Sequence, residues 1–200
     1  MPTVTDVDGN VYHTVKIGTQ TWMVENLKTT HYRNGDAIPN EKIAQNWVNL
    51  ATGAYVDNPN TIDYAKIYGH LYNWFAVKDA RNIAPLGWHV PSDSEWATLA
   101  EFLGGKSVAS DKLRESGTSH WQAPNTGATN STGFRALPGG YRKLDGGFLP
   151  MNDGSIGCYW ATDEYSNTKG KECDFNVSDP VLDFVNFAKI AGLSVRCVKD

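Results

Sequence analysis

Apolar and polar positions alternate in short runs along most of this chain, and settle into a helical period only once. Val4, Val7, Val11, Tyr12, Val15 and Ile17 are strand formers, and Asp8-Gly9 between Val7 and Val11 is a hairpin turn signal. Gly18-Thr19 makes a second turn into residues 20–25, with Trp22 and Val24 alternating. Residues 26–63 are polar and rich in Asn, Thr and Pro, with one short helical stretch at 44–50. They read as a surface excursion with little regular structure. The next dense apolar run, residues 68–77, holds Tyr68, Leu71, Tyr72, Trp74, Phe75 and Val77 and is assigned to the core.

The strongest local signal follows. Trp88-His89-Val90 reads as a short strand, and Pro91-Ser92-Asp93-Ser94-Glu95 opens a helix. Ser92 is the capping residue, and Glu95 three positions later completes a capping box. Trp96, Leu99, Ala100 and Leu103 fall at i, i+3, i+4 and i+7, which is one buried helix face. Gly104-Gly105 ends it, and a second helix is expected over 108–115. Residues 116–132 are again Gly, Asn, Ser and Thr, anchored by Trp121. Short strands are expected at 134–137, 140–143, 147–149, 159–162, 173–177, 182–187 and 194–198, with Pro-Gly-Gly, Asp-Gly-Gly and Asn-Asp-Gly turns among them. Helices early and antiparallel strands late, with no strand–helix alternation, make the class α+β.

Composition narrows the field. At 200 residues the chain suits one domain over 1–200. A hydrophobic content of 40% against 20% charged excludes a disordered chain. A net charge of −4 leaves no general electrostatic case for nucleic acid. No apolar run is long enough to span a membrane, and Met1-Pro2-Thr3-Val4-Thr5-Asp6 carries no signal sequence. Three cysteines allow at most one internal disulfide. Cys158 and Cys173 flank an expected hairpin and form a candidate pair whose register the sequence leaves open, while Cys197 sits in an apolar strand as a small hydrophobe.

Motifs for chemistry are sparse. Asp6-Val7-Asp8-Gly9-Asn10 looks like the start of a calcium loop, but its Gly is at the fourth position rather than the sixth and no Glu follows at the right distance, so it reads as a turn. No two of His13, His31, His70, His89 and His120 stand at i, i+4 on one helix. Neither a Gly-rich phosphate loop nor a Gly-x-Ser-x-Gly elbow occurs. Glu95 is explained by capping. Trp88, Trp96, Trp121 and Trp160 sit inside apolar runs, which favours core packing over stacking on sugars. No catalytic residue, metal ligand or cofactor is assigned.

Five blocks in order carry a resemblance. They are Asp8-Gly9-Asn10-Val11-Tyr12-His13-Thr14-Val15-Lys16-Ile17-Gly18; Gln20-Thr21-Trp22-Met23-Val24-Glu25-Asn26-Leu27; Tyr68-Gly69-His70-Leu71-Tyr72-Asn73-Trp74; Gly87-Trp88-His89-Val90-Pro91-Ser92-Asp93-Ser94-Glu95-Trp96; and Leu193-Ser194-Val195-Arg196-Cys197-Val198-Lys199-Asp200. Over nearly its whole length the chain resembles the Fibrobacter succinogenes major paralogous domain family, common in Bacteroidetes. That family is similar to the formylglycine-generating-enzyme branch of the C-type-lectin-like fold. The resemblance implies an α+β, C-type-lectin-like domain with two helices, short twisted antiparallel sheets and long irregular loops. It also implies export or attachment to the cell surface. Since no signal peptide is visible, a phage particle or the cytoplasm stays open as a location.

Two departures matter. Many members carry Cys just before the Pro-x-Gly-Trp block, where it bridges to the C-terminal Cys; Ala84 stands there in this chain, which leaves Cys197 without that partner. The paired-cysteine site and Arg-Gly-Gly-Ser-Trp motif of the sulfatase-activating enzymes are missing, so that activity is not implied. In related lectin-like proteins the region corresponding to 157–190 is rewritten by diversity-generating retroelements, which change Asn-type codons. Residues 171–179 and 183–187 depart from the Asn/Tyr-rich family pattern in the direction such rewriting would take, and ordinary drift in exposed loops would also produce it. The expected function is therefore a non-enzymatic ligand-binding module with a variable C-terminal face. Its ligand-binding residues would be Tyr165, Asn167, Lys169, Lys171, Asp174, Asn176, Ser178, Asp179, Asp183 and Asn186, with Trp160, Phe175 and Val195 pointing inward. The partner would be a protein or carbohydrate on another surface. The alternatives are a carbohydrate-binding surface adhesin and an uncharacterised formylglycine-generating-enzyme-like enzyme.

Overall fold

The computed structural model describes residues 1–59, 63–149 and 154–200. Strands β1 (Thr3–Thr5), β2 (Val11–Ile17) and β3 (Gln20–Met23) form an antiparallel meander. The chain continues through α1 (Ala44–Trp47), β4 (Tyr55–Val56), α2 (Tyr64–Tyr68), β5 (Leu71–Tyr72) and α3 (Trp74–Val77). Strand β6 (Trp88–His89) precedes α4 (Asp93–Phe102) and α5 (Lys106–Leu113). Strands β7 (Ile156–Glu164), β8 (Lys169–Asn176) and β9 (Asp183–Ala188) follow, and β10 (Val198–Lys199) closes the order. The first sheet runs β1-β2-β3-β10-β6, so the last strand is inserted between the N-terminal meander and β6. The second runs β7-β8-β9, and β4 pairs β5 alone. The chain is α+β, with two helices of eight or more residues among the described residues and curled antiparallel sheets.

The β1–β2 turn is built by its own side chains. Asp6 Oδ1 accepts from the Asp8 and Asn10 amides at 3.0 and 2.9 Å, and its Oδ2 accepts from the Tyr12 hydroxyl at 2.6 Å. Asp8 accepts from the Thr29 hydroxyl at 3.0 Å and the Thr30 amide at 2.5 Å. Both carboxylates of the calcium-like motif are thus committed to turn and loop donors, and Gly9 takes the positive φ (84°) the turn requires.

Helix α4 follows its sequence signal. Ser92 Oγ accepts from the Glu95 amide at 3.2 Å, and Glu95 Oε2 accepts from the Ser92 amide at 2.8 Å. Trp96, Leu99, Ala100 and Leu103 are all buried, and Trp96 meets Trp22 at 4.7 Å between ring centroids. Replacing Ser92 with Ala is expected to cost about 1 kcal/mol, read from denaturant or thermal unfolding; no measurable change would mean that Glu95 alone holds the helix start.

Two expectations are corrected. Residues 26–59 are irregular but not a surface excursion: Leu27, Tyr32, Ile38 and Trp47 are buried, and Trp47 Nε1 donates to the Ile190 carbonyl at 2.6 Å. The expected strands at 134–137, 140–143, 147–149 and 194–198 are largely isolated bridges, namely Arg114↔Ala136, Gly140↔Gly157, Arg142↔Phe148 and Tyr159↔Ser194. Buried guanidinium groups satisfy carbonyls of loops across the fold, and that of Arg196 serves the 134–135 segment in place of part of a ladder. Arg142 donates to the carbonyls of Gly146 (2.9 Å), Glu41 (2.5 Å) and Lys42 (3.2 Å). Arg196 reaches the Phe134 and Arg135 carbonyls and Asn26 Oδ1. Arg114 reaches Asn125 Oδ1 at 2.9 Å and the Thr126 carbonyl at 3.2 Å. All three arginines are fully buried. The Asn152-Asp153-Gly154 turn, apart from Gly154, lies outside the described residues.

Register decides the cysteines. Cys158 pairs with Asp174 and Tyr159 with Cys173 across β7–β8. Side chains one position out of phase point to opposite faces of a sheet, so Cys158 and Cys173 cannot bridge. Cys197 is buried with Ala84 in one apolar cluster, and all three thiols are free.

Candidate ligand-binding face

The second sheet positions every residue assigned to ligand binding. Its two faces follow from register: directly opposed residues share a face, and neighbours along a strand alternate. One face carries Tyr159, Cys173 and Phe184 in one row, with Phe175 and Leu182, and packs with Trp96 of α4. The other carries Cys158, Asp174 and Asp183 in one row, Trp160, Glu172 and Val185 in the next, and then Gly170 and Phe187. Cys158 and Trp160 on this second face belong to the central core, against which Tyr141 and Phe187 pack as partly buried rings. Trp160, Phe175 and Val195 are fully buried.

The ten assigned residues are exposed or half-buried, and the sheet divides them. Tyr165, Asn167 and Lys169 lie at the β7–β8 turn, all exposed. Lys189 anchors that turn: its ammonium donates to Glu164 and to the Asn167 carbonyl at 3.1 Å, and lies 4.4 Å from the centroid of the Trp74 ring. Asn176, Ser178 and Asp179 lie at the opposite end of β8. Lys171 and Asn186 are a cross-strand pair on the α4-facing side, and Lys171 Nζ reaches Asp93 Oδ2 at 3.3 Å. Asp174 and Asp183 are a cross-strand pair on the other side.

That last pair has company the sequence reading missed. Glu172, two residues from Asp174 on the same face, is almost wholly buried, and its Oε2 accepts no hydrogen bond. Burial, then Asp174 and Asp183, hold its carboxyl well above the ordinary carboxylate range. Burial, then Asp183 and Asp179, push Asp174 up to about 6. Strand period contained the signal: Glu172 and Asp174 share a phase with Cys158 and Trp160, but a face can be assigned only once the register is known.

Elsewhere the histidines are engaged with acids. All five histidines contact carboxylates: His13 with Glu25, His31 with Asp8, His70 with Asp57, His120 with Glu115, and His89 with both Glu95 and Asp200 at 2.7 Å. No cluster of metal-ligating side chains occurs among the described residues. An open depression of about 400 Å³ beside Asp8, Lys28, Lys66 and His70 contains neither Glu172 nor Asp174. Trp88, Trp96, Trp121 and Trp160 are buried and offer no platform to a sugar.

His89 makes stability depend on pH. Burial works against its charge, but hydrogen bonds to Asp200 and Glu95 outweigh burial and raise its pKa above 6.5. A base with a raised folded-state pKa stabilises fully below its unfolded value, and that contribution disappears as pH rises through the folded value. The unfolding midpoint should therefore fall across the pH range just above 6.5, and His89→Gln should flatten that fall. An identical pH profile in the variant would remove His89 as the cause.

Among known proteins, the family model described as the Fibrobacter succinogenes major domain matches residues 15–199. No curated protein and no solved structure matches the chain. No helix among the described residues is long and apolar enough to cross a membrane.

Proposed function

The chain belongs to the Fibrobacter succinogenes major domain family, and from that premise we propose that it is a non-enzymatic ligand-binding module. On this reading a C-type-lectin-like scaffold presents a variable face built on the β7-β8-β9 sheet and its turns. One observation carries the reading. Ten polar-rich positions stand exposed or half-buried on a sheet whose own Trp160, Tyr159 and Phe175 are fully buried. Such a sheet separates the residues that meet a partner from those that hold the fold. The anchoring of the β7–β8 turn by Lys189 adds pre-organisation, which lowers the entropic cost of binding. Family resemblance supports display outside the cell or on its surface, with a protein or carbohydrate partner.

The test replaces Tyr165, Asn167, Lys169, Ser178 and Asp179 together with Ala. Each change is expected to shift stability by no more than about 0.5 kcal/mol. A partner found by screening the native protein against surface proteins and glycans should be lost by the variant while the unfolding midpoint holds. Retained binding would overturn this face as the site. A near-repeat of the 157–190 coding region beside a reverse transcriptase gene would support retroelement rewriting of it.

A further inference from the structure

We propose that the partner presents a cationic group, a guanidinium or ammonium, which seats between Asp174 and Asp183 at the half-buried end of one face of the C-terminal sheet. The inference rests on the ligand-binding reading above and names the chemistry of its ligand. Asp174 and Asp183 are directly opposed across β8–β9 on one face, an arrangement of like charges that works against pairing of the strands. Glu172 lies beside them with a buried oxygen that no donor reaches. A buried acceptor left without a donor is costly and uncommon in native structures, so a set of this kind calls for a partner from outside the chain.

Among the described residues no cation of the chain is in place to serve. Lys171 points to the opposite face and pairs with Asp93, Lys106 lies over the Phe184 ring on that same opposite face, and Lys189 is held by Glu164 and the Asn167 carbonyl. The charges acting on Glu172 and Asp174 are those of Asp174, Asp179 and Asp183, all carboxylates. The other titratable groups on this side are the Tyr141 phenol and the Cys158 thiol. Among the described residues the carboxylates do not form a group able to hold a metal ion, which favours a larger cation with several donors. Tyr141, a partly buried ring on the same face, lies near enough to Glu172 to feel its charge. Asp174 and Asp183 are only half-buried, so a side chain from outside can reach them.

A hexa-arginine peptide and its hexa-citrulline counterpart are the probes, with binding to the full chain followed by calorimetry and by resonance shifts of Val185 and Phe187. The arginine peptide should bind at pH 7.5 and weaken about tenfold in the double variant Asp174→Asn/Asp183→Asn and again at pH 5, where Asp174 is protonated. The remote double variant Asp63→Asn/Asp145→Asn, of equal net charge, should bind as the native protein does. Asp174→Asn alone should raise the unfolding midpoint at pH 7.5 by on the order of 2 °C, because it removes repulsion. The inference is overturned by no arginine-peptide binding, by equal loss in both double variants, by citrulline binding as well as arginine, by calcium ions moving the same resonances at micromolar concentration, or by a lowered midpoint in Asp174→Asn. A screened partner lost on replacing the turn residues but indifferent to Asp174→Asn/Asp183→Asn removes the cation and keeps the ligand-binding face; a partner indifferent to both sets removes that face as well.

Discussion

Arg196→Met should lower the thermal unfolding midpoint by on the order of 10 °C, corresponding to a loss of about 3–5 kcal/mol. Arg196 is fully buried, and burial lowers its affinity for its proton. Its guanidinium nonetheless satisfies the Phe134 and Arg135 carbonyls and Asn26 Oδ1, and lies 4.4 Å from the centroid of the Phe134 ring. Methionine fills much of the same volume but donates nothing, so three acceptors are left unsatisfied in the interior. Each such group costs about 1–3 kcal/mol. Lysine at the same place keeps the charge and loses the planar fork, so Arg196→Lys should recover only part of the loss. A Met variant within about 1 kcal/mol of native would mean that the 134–135 segment finds other donors, and the role given to the guanidinium would fail.

Trp96→Ala should cost a similar amount, about 3–5 kcal/mol, by the cavity it leaves. Trp96 meets Trp22 at 4.7 Å, Phe134 and Tyr159 at 5.9 Å and Phe175 at 6.4 Å. It therefore joins α4 to the first sheet, to the 134–135 segment and to the second sheet at one point. Its indole Nε1 is buried without a hydrogen-bond partner, so Trp96→Phe gives up volume but also removes an unsatisfied donor. The phenylalanine variant should lose less than about 1.5 kcal/mol. Equal losses for Phe and Ala, measured by chemical denaturation, would show that shape at this junction matters more than volume.

These two residues also mark how far the sequence could be read. Trp96 was legible as core because its neighbours repeat at the helical period and its helix starts at a capping box, both properties of a contiguous stretch. The Asp8-Gly9 turn and the β7–β8–β9 strands were legible for the same reason: turn chemistry and alternation are local. Arg196 was not legible. An arginine between Val195 and Cys197 reads as an interruption of an apolar strand, and nothing nearby announces carbonyls 61 and 62 residues away. The strand expected at 134–137 failed on the same point, because the Phe134 and Arg135 carbonyls accept from the remote Arg196 guanidinium rather than from a neighbouring ladder.

The candidate face divides along this line as well. Local pattern sufficed to mark residues 165–186 as polar, turn-rich and strand-forming, and to keep Trp160 and Phe175 inside. Whether Cys158 could reach Cys173, and whether Asp174 stood beside Asp183 and Glu172, turned on the pairing of β7 with β8 and of β8 with β9. A slip of one residue moves every side chain of a strand to the other face, and the long connections in this chain set that register through contacts far apart in sequence. What lies within a few residues is encoded by steric and hydrogen-bonding preferences that the chain carries wherever it is placed. The pairing of acids across strands and the satisfaction of loop carbonyls by buried arginines arise only when distant segments share one interior, where every unsatisfied polar group has a cost and water is not there to meet it.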